Sequence, residues 1–369
     1  MTDPTSRPLR QSTSGAPNPH SGALDGFAQK ARAYWTPELL AKLVAGHKYH
    51  VLPTNAPLLL RALGLLNKDA SMSADSMRKF IQVNHLLAQF RPHLEELNQR
   101  HPRVRILDAG CGSSFLTFVM AWAYRELWKH PALMIGIDSN DKLIAKSQAT
   151  AAEMGVTDTL RFSAMDLDKL VWEDLLRQQG EEVDADAKKS RPHAVVALHA
   201  CDTATDDAIA QGIVLKSDFI AVAPCCQAEL ARKWKELAES GATNPLKPAY
   251  QNPHLRRELA AHMTDLARVL ILRGHGYEVT TTEFTMSHAT PKNTLIMATR
   301  RGNYHRESQA EYSELVRWLG GSEISLAARC LSRPELGASG RNLGQPSGLS
   351  PRGDGPTLVG PVPMRSSAS

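Results

Sequence analysis

Between residues 101 and 305 short apolar, β-branched runs alternate with longer stretches whose apolar positions recur every three or four residues. That alternation predicts parallel strands joined by helices that cover both faces of the sheet. The predicted strands are Val104 to Leu107, Leu133 to Ile137, Leu160 to Phe162, Ala194 to Leu198 and Phe219 to Ala223. Helices are predicted between them at Phe115 to Trp128, Asp141 to Glu153, Leu167 to Arg177, Thr203 to Gln211 and Ala228 to Glu239, with a longer one from Pro253 to Arg273. Two last runs, Tyr277 to Phe284 and Asn293 to Ala298, follow without an intervening helix and are expected to pair as an antiparallel hairpin at the sheet edge. The prediction is therefore a doubly wound α/β fold with a seven-stranded, mostly parallel sheet, rather than the six-stranded dinucleotide fold.

The flanks read differently. Residues 23–100 carry helical spacing in Leu58-Leu59-Leu60 to Leu66 and in Phe80, Ile81, Val83, Leu86, Leu87 and Phe90, which predicts an N-terminal helical extension. Residues 306–330 are expected to form a C-terminal helix. Residues 1–22 and 331–369 are rich in Ser, Pro and Gly and are expected to be a disordered leader and tail. The chain has 369 residues, 42 % of them apolar, which is enough for a core of ordinary size. It has no apolar run of the length a membrane span needs. The leader lacks the apolar stretch of a secretory signal. Five cysteines (Cys111, Cys201, Cys225, Cys226 and Cys330) show no disulfide spacing, so free thiols in a cytoplasmic protein are expected. The formal charge of +5 is compatible with an anionic partner such as RNA without requiring one.

Candidate chemistry sits at the predicted strand ends, where open α/β sheets bind ligands. The first strand runs into Asp108-Ala109-Gly110-Cys111-Gly112 and then a helix. Gly110 permits a tight turn, and Gly112 lets a ligand approach the backbone. The N–H groups that open the next helix suit an anion, either a phosphate or the carboxylate of a methionine moiety. The third glycine of the nicotinamide fingerprint is missing: Ser114 and Phe115 stand in its place. Asp138, at the end of the second strand, is placed to accept both hydroxyls of an adenosine ribose, a role that fits S-adenosylmethionine and NAD alike. A helix cap within Asp138-Ser139-Asn140-Asp141 is the plain alternative, and compatible. Asp166, after the third strand, is placed to accept from an adenine amino group; a solvated helix cap is the plain alternative, and its place as the third acidic residue at successive strand ends favours the binding role.

After the fourth strand, His199 is a candidate general base and Asp202 a second proton acceptor; the plain alternative has Asp202 and Thr203 capping the next helix while His199 packs. After the fifth strand, Cys225 or Cys226 is a candidate nucleophile. The same pair could bind metal with Cys201 or a histidine, although adjacent thiols lack common zinc spacing, and no metal site is assigned. The commoner role for such a pair is packing or lining a substrate site. Lys79 and Gln82, ahead of the sheet, could reach a carboxylate of cofactor or substrate, or form a solvated helix face. The acidic run 181–186 reads as a solvated loop.

Taken together, Asp-Ala-Gly-Cys-Gly (108–112), Leu-His-Ala-Cys-Asp-Thr-Ala-Thr-Asp-Asp-Ala (198–208), Ala-Pro-Cys-Cys-Gln (223–227) and Thr-Pro-Lys-Asn-Thr-Leu-Ile (290–296) resemble a methyltransferase-domain family over roughly residues 78–302. That family includes the glutathione S-transferase C-terminal domain-containing protein, methyltransferase-like proteins and the eukaryotic tRNA 2′-O-methyltransferase. The resemblance implies a class I, Rossmann-like methyltransferase with S-adenosyl-L-methionine as donor. It puts Asp108, Gly110 and Gly112 at the methionine end of the donor, Asp138 at the ribose and Asp166 at the adenine. Gln227 stands where many relatives have histidine. The expected activity is methyl transfer to an acceptor, with structured RNA as the substrate guess and no membrane partner. The rival readings are a non-catalytic methyltransferase-like scaffold and a nicotinamide-dependent oxidoreductase. The sequence leaves the oligomeric state open.

Overall fold

A computed structural model describes residues 21–198, 200, 202–224, 227–241, 244–283 and 294–332. His199, Cys201, Cys225 and Cys226 lie outside the described residues, as do most of the leader, nearly all of the tail and positions 290–293 of the last motif.

Four helices precede the sheet: α1 (Ser21–Tyr34), α2 (Pro37–Val44), α3 (Pro57–Ala62) and the long α4 (Ala74–Arg100). Then follow β1 (Val104–Ala109), α5 (Phe115–Trp122), β2 (Ala132–Asp138), α6 (Asp141–Glu153) and β3 (Leu160–Ala164). After α7 (Trp172–Gln178) and α8 (Ala187–Ser190) come β4 (Ala194–Ala197), α9 (Thr203–Val214) and β5 (Phe219–Val222). The chain continues through α10 (Glu229–Glu239), α11 (Lys247–Gln251) and α12 (Pro253–Gly274) to β6 (Tyr277–Glu283) and β7 (Thr294–Arg300), then α13 (Arg306–Trp318) and α14 (Ser325–Ser332).

The sheet has seven strands in the order β3-β2-β1-β4-β5-β7-β6. The first five pair in parallel, and β7 runs antiparallel between β5 and β6. This is the doubly wound, mostly parallel arrangement that the alternating pattern predicts. The order steps outward in both directions from between β1 and β4, so the tips of β1, β2, β3 and β4 lie side by side at a switch point. The hairpin inserts β7 into the sheet and leaves β6 as the edge.

Three helical predictions change in detail. The helix predicted from Phe115 to Trp128 leaves α geometry after Trp122 and closes as a π-turn at Ala123–Leu127, with Lys129 left-handed at φ 51°. The Leu167–Arg177 segment splits into a 3₁₀ turn, Leu167–Lys169, and α7. The single C-terminal helix becomes α13 and α14, parted where Gly320 and Gly321 both take positive φ, which ends a helix at little steric cost. At the other end α1 already opens at Ser21.

The core has two large clusters, one on each face of the sheet. On one face the N-terminal helices contribute Trp35, Leu43, Leu59, Leu60, Phe80, Phe90 and Leu94 to the same apolar cluster as Val104, Ile106, Phe219 and Met297 of the strands. On the other, α9, α12 and α14 cover Leu107, Val195, Ile220 and Ile296. At the N-terminal ends of the strands a polar pin joins the layers. His193 accepts the Arg105 N–H on Nδ1 at 3.0 Å and stacks on His101 at 3.6 Å, while Asp218 receives Arg100, Arg191 and His101. Among the described residues no helix is long and apolar enough to cross a membrane.

Candidate active site

The turn after β1 is built by backbone conformation. Gly110, Gly112 and Ser114 take φ of 69°, 53° and 58°, three left-handed residues within five positions. The glycines do this freely; Ser114 does it against its Cβ. The turn is moored to β2: Cys111 N–H donates to the Ile137 carbonyl at 2.9 Å and Gly112 N–H to Asp138 Oδ2 at 2.8 Å. The buried Cys111 side chain lies over Gly136 of β2, where a Cβ would stand 3.1 Å from Cys111 Sγ and 2.6 Å from the Phe162 ring. Burial pushes the Cys111 thiol well above its ordinary range, so it is a packing group.

Beyond the turn, the N-cap of α5, Ser114, makes no side-chain capping bond. Among the described residues no side chain accepts from the first-turn N–H groups of that helix, the arrangement an anionic ligand satisfies. Asp108 does not reach this opening. It is 4 % exposed, and its Oδ2 accepts from the Thr117 hydroxyl of α5. Burial, with Asp138 adding to it against the Thr117 bond, raises its carboxyl to about 7.

Asp138 stands half-buried at the tip of β2 with Oδ2 on Gly112 N–H and Oδ1 on Asn140 N–H at 2.9 Å. Each carboxylate oxygen keeps further acceptor capacity. The capping of α6 falls to Asn140, which accepts from Lys142 and Leu143 N–H, so Asp138 is not used up as the helix cap. The neighbouring strand is tied in by Met165 N–H donating to the Asp138 carbonyl at 3.0 Å. Asp166 follows, exposed, with Lys169 Nζ 2.6 Å from its Oδ2. Lys79 of α4 lies over the Phe115 ring at 5.8 Å, which brings the N-terminal half of α4 to the mouth of the turn.

Asp202 sits differently from either sequence reading. It precedes α9 but makes no side-chain cap to it; instead Oδ1 accepts from Ala228 and Glu229 N–H at 3.0 and 3.3 Å, and Oδ2 faces Arg232 at 3.1 Å. Burial alone would raise this carboxyl, but those bonds outweigh it and hold it below the ordinary carboxylate range. Gln227 is buried, and its Nε2 donates to both oxygens of Asp265 at 3.1 Å.

Gly110, Gly112, Asp138 and Asp166 are thus brought to adjacent tips, Asp108 lies beneath them, and Asp202 is turned toward α10. Sequence reasoning missed Thr117, Asp206, Asp265 and Arg268. Arg268 carried a legible signal: a lone arginine inside the apolar run Ala267 to Leu272, a place where a charge needs a buried partner. Cavity size does not single out the tips, since cavities of about 440 Å³ beside Tyr124 and about 600 Å³ between α10 and α13 lie elsewhere. Among the described residues no group of acidic, histidine and cysteine side chains could hold a metal ion.

Residues 78–233 match the family model described as "Methyltransferase domain". No curated protein matches the chain. Solved structures similar to it include the METTL16 MTase domain, at 13 % identity over 72 % of this chain and 81 % of that one, TM-score 0.36. Also similar are the SAH-bound Podospora anserina methyltransferase PaMTH1, at 10 % identity over 78 % and 99 %, TM-score 0.36, and a geranyl diphosphate methyltransferase in complex with GPP and sinefungin, at 15 % identity over 74 % and 100 %, TM-score 0.35.

Proposed function

We propose that this protein is an S-adenosyl-L-methionine-dependent methyltransferase. The observation that carries the reading is the left-handed turn at 110–114, which opens a helix N-terminus that Ser114 does not cap and is moored to Asp138, a strand-tip carboxylate that keeps acceptor capacity. The family match over 78–233 supports it. The residues fit the donor by charge and donor–acceptor type: the N–H groups at the start of α5 for its carboxylate, Asp138 for its ribose hydroxyls and Asp166 for its adenine amine. When bound, the donor supplies an electrophilic methyl group on a sulfonium. Asp108 and Thr117 brace the turn from below, and the main contribution of the chain is alignment of donor and acceptor away from water.

In this reading Asp202 is a strut for the β5–α10 turn. Its bonded, acid-shifted carboxylate is a poor proton acceptor. His199 is then the general base of the proposal, and RNA the acceptor to test first.

Calorimetric titration of the purified chain with S-adenosylmethionine should show saturable binding, weakened at least tenfold in Asp138→Ala. Stabilisation by NAD but not by the donor or its demethylated product would replace this reading with the oxidoreductase. No binding of any of them would favour a non-catalytic scaffold. Incubation with radiolabelled donor and fractionated RNA, protein and small molecules identifies the acceptor; label confined to protein or small molecules refutes the RNA assignment.

A further inference from the structure

One set of buried polar groups that the proposed reaction does not use converges on Arg268. It is 1 % exposed on the apolar side of α12, and its guanidinium is engaged on three sides. Nε donates to Asp206 Oδ1 at 2.7 Å, Nη1 to Asp265 Oδ1 at 3.0 Å and Nη2 to the Asp202 carbonyl at 3.1 Å. Two of these partners lead into the motif turns. Asp202 closes the turn after β4, and its carboxylate reaches across to Ala228 and Glu229 N–H. Asp265 holds the amide of Gln227, which closes the turn after β5. The chain positions on the near side, Ala200 and Pro224, are buried, and Ala200 is itself tied by the Thr205 hydroxyl at 2.7 Å.

We infer that Arg268 is a positioning residue: through the Asp202 carbonyl, and through Asp265 to Gln227, it holds Asp202 at the start of α9 and Gln227 ahead of α10 in one fixed relation. This rests on the proposed reading of His199, three positions before Asp202 in the sequence, as the general base. Asp202 is the feature that needs holding. With φ 50° and ψ −117° it occupies a conformation unfavourable to any residue with a Cβ, and such strain persists only where the surroundings over-determine it. A bond to its carbonyl and three to its carboxylate do so here. A planar guanidinium fixes three partners at set angles at once; a lysine ammonium in the same place does not.

Hydrogen exchange read by mass spectrometry on the full chain tests this with Arg268→Lys and Gln227→Met. Arg268→Lys should speed amide exchange at least tenfold in the segments around 200–204 and 224–229 while β1, β2, β3 and α4 exchange as in the wild type. Gln227→Met should speed the second segment alone. In both, S-adenosylmethionine affinity should stay within threefold of wild type, because the donor residues lie on other strands. Wild-type exchange in both segments of Arg268→Lys, or an equal acceleration everywhere, overturns the inference by making Arg268 a general stabiliser. If Arg268→Lys does not fold, unchanged exchange at 224–229 in Gln227→Met overturns it, and selective acceleration there supports it. A wild-type chain that binds no donor overturns the methyltransferase reading by a separate measurement, without altering the exchange result.

Discussion

Two aspartates that look equivalent in the sequence are put to different uses by their surroundings. Asp108 is enclosed beneath the turn, and burial raises its carboxyl to about 7, from an ordinary value near 3.8. A carboxyl raised in the folded state lends stability that is fully present below its unfolded pKa and is lost as pH rises through its folded one. Asp108→Asn, which keeps an acceptor for Thr117 but carries no charge, should therefore gain on the wild type by roughly 4 kcal/mol between pH 4 and pH 8, measured by denaturant unfolding. Asp202 is bonded instead to main-chain N–H groups of α10, an N-cap in trans. Asp202→Asn should retain most of the melting temperature and methyl transfer, whereas Asp202→Ala should lose about 1 kcal/mol of stability, as caps do. Abolished label incorporation in Asp202→Asn with an unchanged melting temperature would restore Asp202 as the base. The strand-end aspartates were legible because a strand followed by Asp and a helix implies a tip. Which way each carboxyl turns depends on Thr117, Ala228 and Arg232, and no local spacing encodes those contacts.

At the scale of elements the seven strands and most of the helices follow from periodicity, because each is buried on a fixed face and the sequence must repeat to match it. The failures share a cause. The π-turn at Ala123–Leu127 and the break at Gly320-Gly321 sit where apolar spacing continues while the backbone does not, so a period alone reads through them. β2 carries one position where an element directly shapes the site. Its Gly136 leaves space that Phe162 and Cys111 fill, and a Cβ there would meet the ring at 2.6 Å. Gly136→Ala should destabilise the chain by about 1–3 kcal/mol, the usual range for overpacking, and should weaken donor binding by displacing Cys111 and the turn it anchors. Thermal unfolding and calorimetry on the same sample check both; a stable variant with wild-type affinity would show that the turn does not depend on this packing.

For the whole molecule, the sequence pattern divides a helical extension from the expected methyltransferase domain at residue 100, and the apolar core runs across that line. Phe90 of α4 meets Phe219 of β5 edge-on with centroids 5.8 Å apart, and His93 stacks on the same ring at 4.6 Å. Arg100 then reaches the buried Asp218. A chain beginning at residue 101 should therefore be insoluble or lack a cooperative melt, because Val104, Ile106, Phe219 and Met297 would lose their cover. A soluble, cooperatively melting product would show the sheet to be self-sufficient. The family match opens at residue 78, one turn inside α4, past the Ser73 cap and beyond every residue of α1, α2 and α3. Anyone choosing a cloning boundary by that match would split a helix of 27 residues and discard the apolar lid that seats it.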